Sequence, residues 1–205
     1  MGAPRSIVII GAGISGLTLA LALAKFSVRV TVIERNADIS EFGAGLQISP
    51  NARKGLDALG LGEAVAAASF APEGIDLYPF NAAAPLQTLT LGERIAERFG
   101  APYAVMHRGD LAALLHAAAR KFANIEIVFG VEQFSLDETD RGAAINFKEK
   151  GKRQRTIKPF ALVGADGVNS AVRKQWLGGT NPAYSGKVAW RALVSPQSLE
   201  GVVNL

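Results

Sequence analysis

Three glycines within six residues, in the run Gly11-Ala12-Gly13-Ile14-Ser15-Gly16, are the first residues whose spacing bears on chemistry. The first glycine of such a run allows a tight turn, and the second leaves room for a pyrophosphate against the backbone. The third lets a helix pack closely on a strand. A helix beginning here would offer unpaired N–H groups and the positive end of its dipole to phosphates. Ser15 lies inside the run and is grouped with the glycines as cofactor-binding. Glu34 stands 23 positions after Gly11, where a carboxylate accepts hydrogen bonds from the ribose hydroxyls of an adenosine. That carboxylate would repel a 2′-phosphate and so argues against NADP as the nucleotide held here. Neighbouring Arg35 is the residue that could pair with such a phosphate instead.

Three later stretches carry further candidates. Residues 43–52 read Gly-Ala-Gly-Leu-Gln-Ile-Ser-Pro-Asn-Ala, with Gly45, Leu46 and Gln47 at their centre. His107-Arg108-Gly109-Asp110-Leu111 stands at the mouth of a helix, and residues 162–173 hold Ala165-Asp166-Gly167. Taken singly, Arg108 also reads as a surface salt bridge, Asp166-Gly167 as a plain turn and His107 as a structural residue.

The elements needed to position these residues are legible in the pattern of apolar residues. Residues 6–10 are a short β-branched run with both faces apolar, as in a parallel strand covered on each side. From Ile14 the chain favours a helix that is apolar all round and therefore buried. A second β-branched run covers 28–33, so strand, helix and strand form one βαβ unit with a right-handed crossover. Residues 36–50, rich in Gly, Ser and Asn, read as an ordered loop, and 50–61 as a helix ending near Gly60. Short alternating runs at 75–78 and 86–91 predict strands of another layer, and 110–122 predicts a helix. Residues 125–131, 143–149 and 155–160 alternate as an antiparallel meander. A buried strand at 162–164 and a further strand at 188–194 complete the reading.

Composition bounds the chemistry. Apolar residues make up 49% and charged residues 20% of the 205, which suits a packed core rather than disorder. With no cysteine and two histidines, no disulfide, thiolate nucleophile or metal site is expected, and a reducing, cytoplasmic compartment fits. The net charge is +4. Its one cluster (Lys148, Lys150, Lys152, Arg153, Arg155 and Lys158) alternates along a hairpin turning near Gly151. It reads as a solvated face, and without interleaved aromatics no nucleic-acid platform is expected. The apolar run 7–26 is long enough to span a bilayer, yet its glycines and the acid beyond it suit a buried strand-turn-helix. The myristoylation-like Met1-Gly2 start is a short chance match, so no stable membrane anchoring is expected.

In this order and spacing, the glycine run, the Arg108 helix start and the Asp166-Gly167 motif resemble the single-component FAD-dependent aromatic hydroxylases. That group includes salicylate hydroxylase, 3-hydroxybenzoate 6-hydroxylase and p-hydroxybenzoate hydroxylase. The resemblance implies an α/β fold: a Rossmann-like FAD-binding domain, with parallel sheet and antiparallel meander, carrying an inserted, incomplete substrate-binding β-sheet. It implies residues 1–72 and 101–178 for the FAD domain, and 73–100 and 179–205 for part of the substrate domain. By the same resemblance, Gly11, Gly13 and Gly16 would hold the FAD pyrophosphate and Glu34 the ribose, with Arg35 beside it. Arg108 would contact the phosphate or ribityl region, and Asp166 and Gly167 would sit near the FAD and the NAD(P)H groove. Residues 43–47, with Gly45, Leu46 and Gln47, would pass beside the isoalloxazine. The implied activity is hydroxylation of a small aromatic, phenolic-acid-like substrate with NAD(P)H and O2, and no catalytic residue can be named. The family's later Gly-Asp motif has no match after Asp166, so the chain reads as an N-terminal part that is inactive alone. The alternatives are an NAD-dependent dehydrogenase and a non-catalytic remnant.

Overall fold

The structure is a computed structural model, describing residues 5–39, 45–140, 142–149, 152–190 and 195–199. The chain opens with β1 (Ser6–Ile10), α1 (Ile14–Ala24) and β2 (Arg29–Ile33), the expected βαβ unit. Next come β3 (Gly45–Ile48), α2 (Pro50–Ala58), α3 (Gly62–Ala68), β4 (Gly74–Leu77), β5 (Gln87–Thr90) and α4 (Gly92–Phe99). β6 (Ala104–His107) runs directly into α5 (Arg108–Ala119), and β7 (Ile125–Val128) follows. β8 (Phe134–Thr139), β9 (Gly142–Lys148), β10 (Gln154–Ile157), β11 (Ala161–Gly164) and α6 (Ala171–Trp176) complete the series, before a 3-10 turn at Pro196–Leu199.

Four parallel strands in the order β11-β1-β2-β7 form the central sheet. The two-residue period of a strand divides the β-branched side chains between two cores. Ile9, Val30 and Val32 face α1 and α5, where they pack with Leu17, Leu21 and Leu115. Val8, Ile10 and Ile33 face the meander, where they meet Ile145 and Phe147. Ile9, Leu17, Val30, Val32, Leu115 and Ile145 are all fully buried. Each such side chain contributes about 1.5–3 kcal/mol by leaving water. Asn124 pins the turn before β7, its amide donating to the carbonyls of Ala24 (3.1 Å) and Val28 (2.8 Å).

The antiparallel meander is β8-β9-β10, which corrects the expected membership. Residues 125–128 alternate as an antiparallel strand does, yet they pair parallel to β2, with Val30 opposite Ile125 and Ile33 opposite Val128. Edge position explains this: β7 is covered by a sheet neighbour on one side only, so polar Glu126 is tolerated. The strand that takes its place in the meander, β8, has the sequence Phe-Ser-Leu-Asp-Glu-Thr, and its acidic end hides the pattern. The basic hairpin is present, with Gln154 opposite Lys148, and Lys150 and Gly151 lie outside the described residues. Arg155 joins the meander to the parallel sheet by a two-pronged bond to Glu126 (2.8 and 3.1 Å) and a contact to Glu149 (3.2 Å). A hydrogen bond from Lys152, seconded by Arg155, holds the Glu149 carboxyl below its ordinary range.

Two expected readings change. The stretch 36–50 is not all loop: Gly45–Ile48 forms β3, antiparallel to β6 with Gly45 opposite His107 and Ile48 opposite Ala104. Residues 188–190 carry no strand, and 191–194 lie outside the described residues. The expected layer at 73–100 is the hairpin β4-β5 followed by α4, a helix the prolines around it obscured. Among the described residues no helix is long and apolar enough to cross a membrane.

Candidate cofactor-binding cleft

Each strand of the parallel sheet hands its ladder on to the loop beyond its carboxyl end. Gly11 N–H donates to Ile33 O (2.8 Å), Glu34 N–H to Val128 O (2.8 Å) and Ala165 N–H to Ile10 O (2.7 Å). Val131 N–H in turn donates to Glu34 O (3.0 Å), and Gly130 N–H to Asn36 O (2.8 Å). The four loops are thereby held side by side around a cleft of about 380 Å³. This is where open α/β sheets bind ligands, outside the carboxyl ends of their strands.

The glycines of the first loop do separate jobs. Gly11 has φ +106°, and a Cβ there would lie 2.4 Å from the Ala165 carbonyl oxygen, so the loops after β1 and β11 touch only because Gly11 lacks a side chain. A Cβ on Gly16 would lie 1.9 Å from the Gly11 carbonyl oxygen, which sets the close approach of α1 to β1. Gly13 is different: its backbone is extended, and a Cβ there would meet nothing within 4 Å. No side chain caps α1 at Gly13, leaving the first-turn N–H groups of this helix to an incoming anion.

Glu34 forms the next wall. Its Oε2 accepts from Ala12 N–H (2.8 Å) and its Oε1 from Asn36 N–H (2.9 Å). An ionised carboxylate has about four lone-pair sites, so each oxygen retains capacity for a hydroxyl. Opposite lies Arg108, the first residue of α5, whose N-cap is His107: the imidazole Nδ1 accepts from Gly109 N–H (3.2 Å). His107 thus has a structural task at the start of the helix that Arg108 opens.

Asp166 has its carboxylate committed. Oδ1 accepts the Ser170 hydroxyl (2.6 Å), and Oδ2 accepts the N–H groups of Ala171 (2.6 Å) and Val172 (3.1 Å). Ser170 Oγ accepts Arg173 N–H (3.0 Å) in turn. Asp166 therefore holds the start of α6 and orients the turn that Gly167 makes at φ +78°.

Seven of the twelve residues singled out in the sequence line this one cleft: Gly11, Gly13, Glu34, Arg35, Arg108, Asp166 and Gly167. Ser15 and Gly16 lie just inside α1 and do not line it. Gly45, Leu46 and Gln47 are on β3, away from the lining, while Gly43 and Ala44 lie outside the described residues. The register of β3 with β6 nonetheless sets Gly45 opposite His107, next to Arg108. Sequence reasoning missed Val131, Glu132 and Phe134. The signal for the first two was present: had 125–128 been placed in the parallel sheet, the carboxyl-end rule would have named the loop beyond that strand. Among the described residues no cluster of His, Cys, Asp or Glu could hold a metal.

Comparison with known proteins agrees with this geometry. The chain is 33% identical to the 3-hydroxybenzoate 6-hydroxylase of Polaromonas naphthalenivorans, over 95% of this chain and 48% of the relative. It is 40% identical to the phenazine 1,6-dicarboxylic acid hydroxylase PhzS of Lysobacter antibioticus, over 82% of this chain and 41% of the relative. The chain thus spans about half the length of the curated relatives it matches. Among solved structures, 2-methyl-3-hydroxypyridine-5-carboxylic acid oxygenase superposes with a TM-score of 0.70 at 26% identity, over 85% of this chain and 42% of that one. The p-nitrophenol 4-monooxygenase PnpA of Pseudomonas putida shares the fold, with a TM-score of 0.76 at 21% identity, over 85% of this chain and 44% of that one. Residues 5–193 match the family described as FAD binding domain, and the chain belongs to that family.

Proposed function

We propose that this chain is the FAD-holding part of an NAD(P)H- and O2-dependent monooxygenase that hydroxylates a small aromatic, phenolic-acid-like substrate. One observation carries the reading: the open backbone at Gly13 shares a cleft with Glu34 and Arg108. An anion against Gly13, a ribose against Glu34 and a second phosphate or polyol against Arg108 are the successive parts of one extended dinucleotide. The residues present fit FAD on this test, since a Cβ at Gly13 would fill the space that a pyrophosphate needs. When bound, the flavin supplies the redox chemistry, taking hydride from NAD(P)H and activating oxygen for transfer to the ring.

The residues of the chain bind, orient and exclude water. In this reading Gly11, Gly13, Ser15 and Gly16 build the pyrophosphate site, with N–H groups and a helix dipole opposing its charge. Glu34 orients the ribose, and Arg35 flanks it at the rim. Arg108 holds the phosphate or ribityl region from α5, and the Asp166-Gly167 turn sets the opposite wall near the NAD(P)H groove. Gly45, Leu46 and Gln47 approach the ring end through their ladder with β6. The similarity to hydroxylases of hydroxybenzoates supports a phenolic acid as substrate. We assign residues 1–72 and 101–178 to the FAD domain, because all four parallel strands fall there. Residues 73–100 and 179–205 go to the substrate-binding part. A cytoplasmic location agrees with the need for NAD(P)H.

The test has two arms. Apo-protein titrated with FAD should quench flavin fluorescence with a stoichiometry of one. The full-length protein should form hydroxylated product from a phenolic-acid panel with NADH or NADPH. Absence of flavin binding in the full-length protein refutes the reading.

A further inference from the structure

Phe134 and the Asn169–Ala171 turn both line the cleft, yet they belong to different layers, the meander and the loop after β11. A hydrogen-bonded link between them is the side chain of Gln175, near the end of α6. Its Oε1 accepts the Leu136 N–H (3.2 Å), and its Nε2 donates to the Phe134 carbonyl oxygen (3.3 Å). Both partners are backbone groups of β8. Among the described residues this strand pairs with β9 alone and is the outer strand of its sheet.

The chemistry of this contact is specific. An edge strand presents alternating N–H and C=O groups that a further strand would satisfy. A carboxamide side chain carries a donor and an acceptor in one plane, as a peptide group does. Gln175 therefore acts as a one-residue neighbour strand. Asp166 caps the start of α6, Val172 packs on Gly164 and against the core beneath the meander, and the Arg173 guanidinium donates to Val168 O (3.0 Å) and Thr180 O (3.5 Å). The helix is thus fixed to the β11 loop at one end and to β8 at the other.

We propose that Gln175 is a positioning residue for the cofactor cleft, setting the distance between the Phe134 wall and the Asp166–Ala171 wall. The inference rests on the FAD reading above and deepens it. Gln175 does not line the cleft and acts through β8. Losing both bonds lets the two walls move apart, so bound nucleotide is held less closely. One net hydrogen bond of ordinary strength corresponds to roughly a three- to tenfold change in affinity, and the two bonds reach the nucleotide only through the cleft walls, so a change of that size is expected.

The experiment uses the full-length protein with Gln175→Leu, which keeps the side chain's approximate size and removes both bonds. Gln87→Leu on the exposed hairpin strand β5 serves as the control. FAD affinity is measured by fluorescence titration to millimolar concentration, and amide exchange is followed at Leu136. The expected result is a three- to tenfold weaker FAD affinity and faster Leu136 exchange in Gln175→Leu, with Gln87→Leu unchanged in both. Faster exchange with unchanged affinity makes Gln175 merely structural and overturns the proposal, while leaving the FAD reading intact. Unchanged exchange overturns the contact itself. No flavin uptake by the unsubstituted full-length protein overturns the FAD reading and this proposal with it.

Discussion

The carboxylate of Glu34 accepts a hydrogen bond from the backbone N–H of Ala12, 2.8 Å away and 22 positions earlier in the chain. The acid just beyond β2 thus shapes the glycine loop after β1 as well as lining the cleft, where the proposed function gives it a ribose. Glu34→Ala should weaken FAD binding by about ten- to a hundredfold, the value of one charge-assisted hydrogen bond of roughly 1.5–3 kcal/mol. A fluorescence titration of apo-protein measures it, and an unchanged dissociation constant removes Glu34 from the site.

Gly13 and Gly16 should fail in opposite ways. Gly13→Val adds its side chain to open space on an extended backbone, so the variant should fold, show unaltered far-UV circular dichroism and purify without flavin. Gly16→Ala drives a Cβ into the Gly11 carbonyl oxygen, where backbone must shift. It should lose about 1–3 kcal/mol or more of stability, seen as a lower urea midpoint. A Gly13→Val protein with stoichiometric flavin would move the phosphate loop elsewhere.

Asp166→Ala removes the acceptor for the Ser170 hydroxyl and two helix N–H groups. Loss of such a cap costs about 0.5–2 kcal/mol. The expected signature is local: Val172 amide exchange accelerates more than exchange in β1 and β2. Uniform acceleration across the sheet would argue that α6 is not separately held by this cap.

Acid should loosen the meander before the parallel sheet. Hydrogen bonding from Lys152, and then from Arg155, depresses the Glu149 carboxyl in the folded state. Its stabilisation is therefore present above the unfolded glutamate value of about 4.3 and is lost as pH falls through the lower folded value. Urea midpoints of the parent chain should drop between about pH 5 and 3 more steeply than those of Glu149→Gln. Parallel profiles would show that Glu149 gains nothing from its two cations.

The βαβ unit was legible because everything that defines it is local: two β-branched runs, an apolar helix, and glycines whose spacing has a steric meaning. The site residues on those elements inherit that legibility. Strand β7 was recognised as a strand but placed in the wrong sheet, since Ile-Glu-Ile-Val alternates equally well at a parallel edge. Strand β3 was hidden by the glycine-rich stretch around it, because its partner β6 is remote in sequence and leaves no periodic mark. Asp166 was found, but its task was not: a carboxylate aimed at N–H groups five and six residues ahead is a matter of turn geometry. The Gln175 amide, set on an edge strand remote in the sequence, leaves no pattern at all.

Strand β1, the earliest of the described strands, lies inside the sheet with β2 on one side and β11 on the other. Its partner Ala161, opposite Ile7, leaves the ribosome only after about 150 further residues, which at roughly 5–20 residues per second is on the order of ten to thirty seconds. Until then one flank of β1 has no neighbour, and the Gly11 loop has no Ala165 carbonyl to rest against. The turn after β1 is thus packed in full only once residue 165 has been made. A nascent chain stalled before residue 161 should expose that apolar flank to chaperones, and FAD should not rescue it.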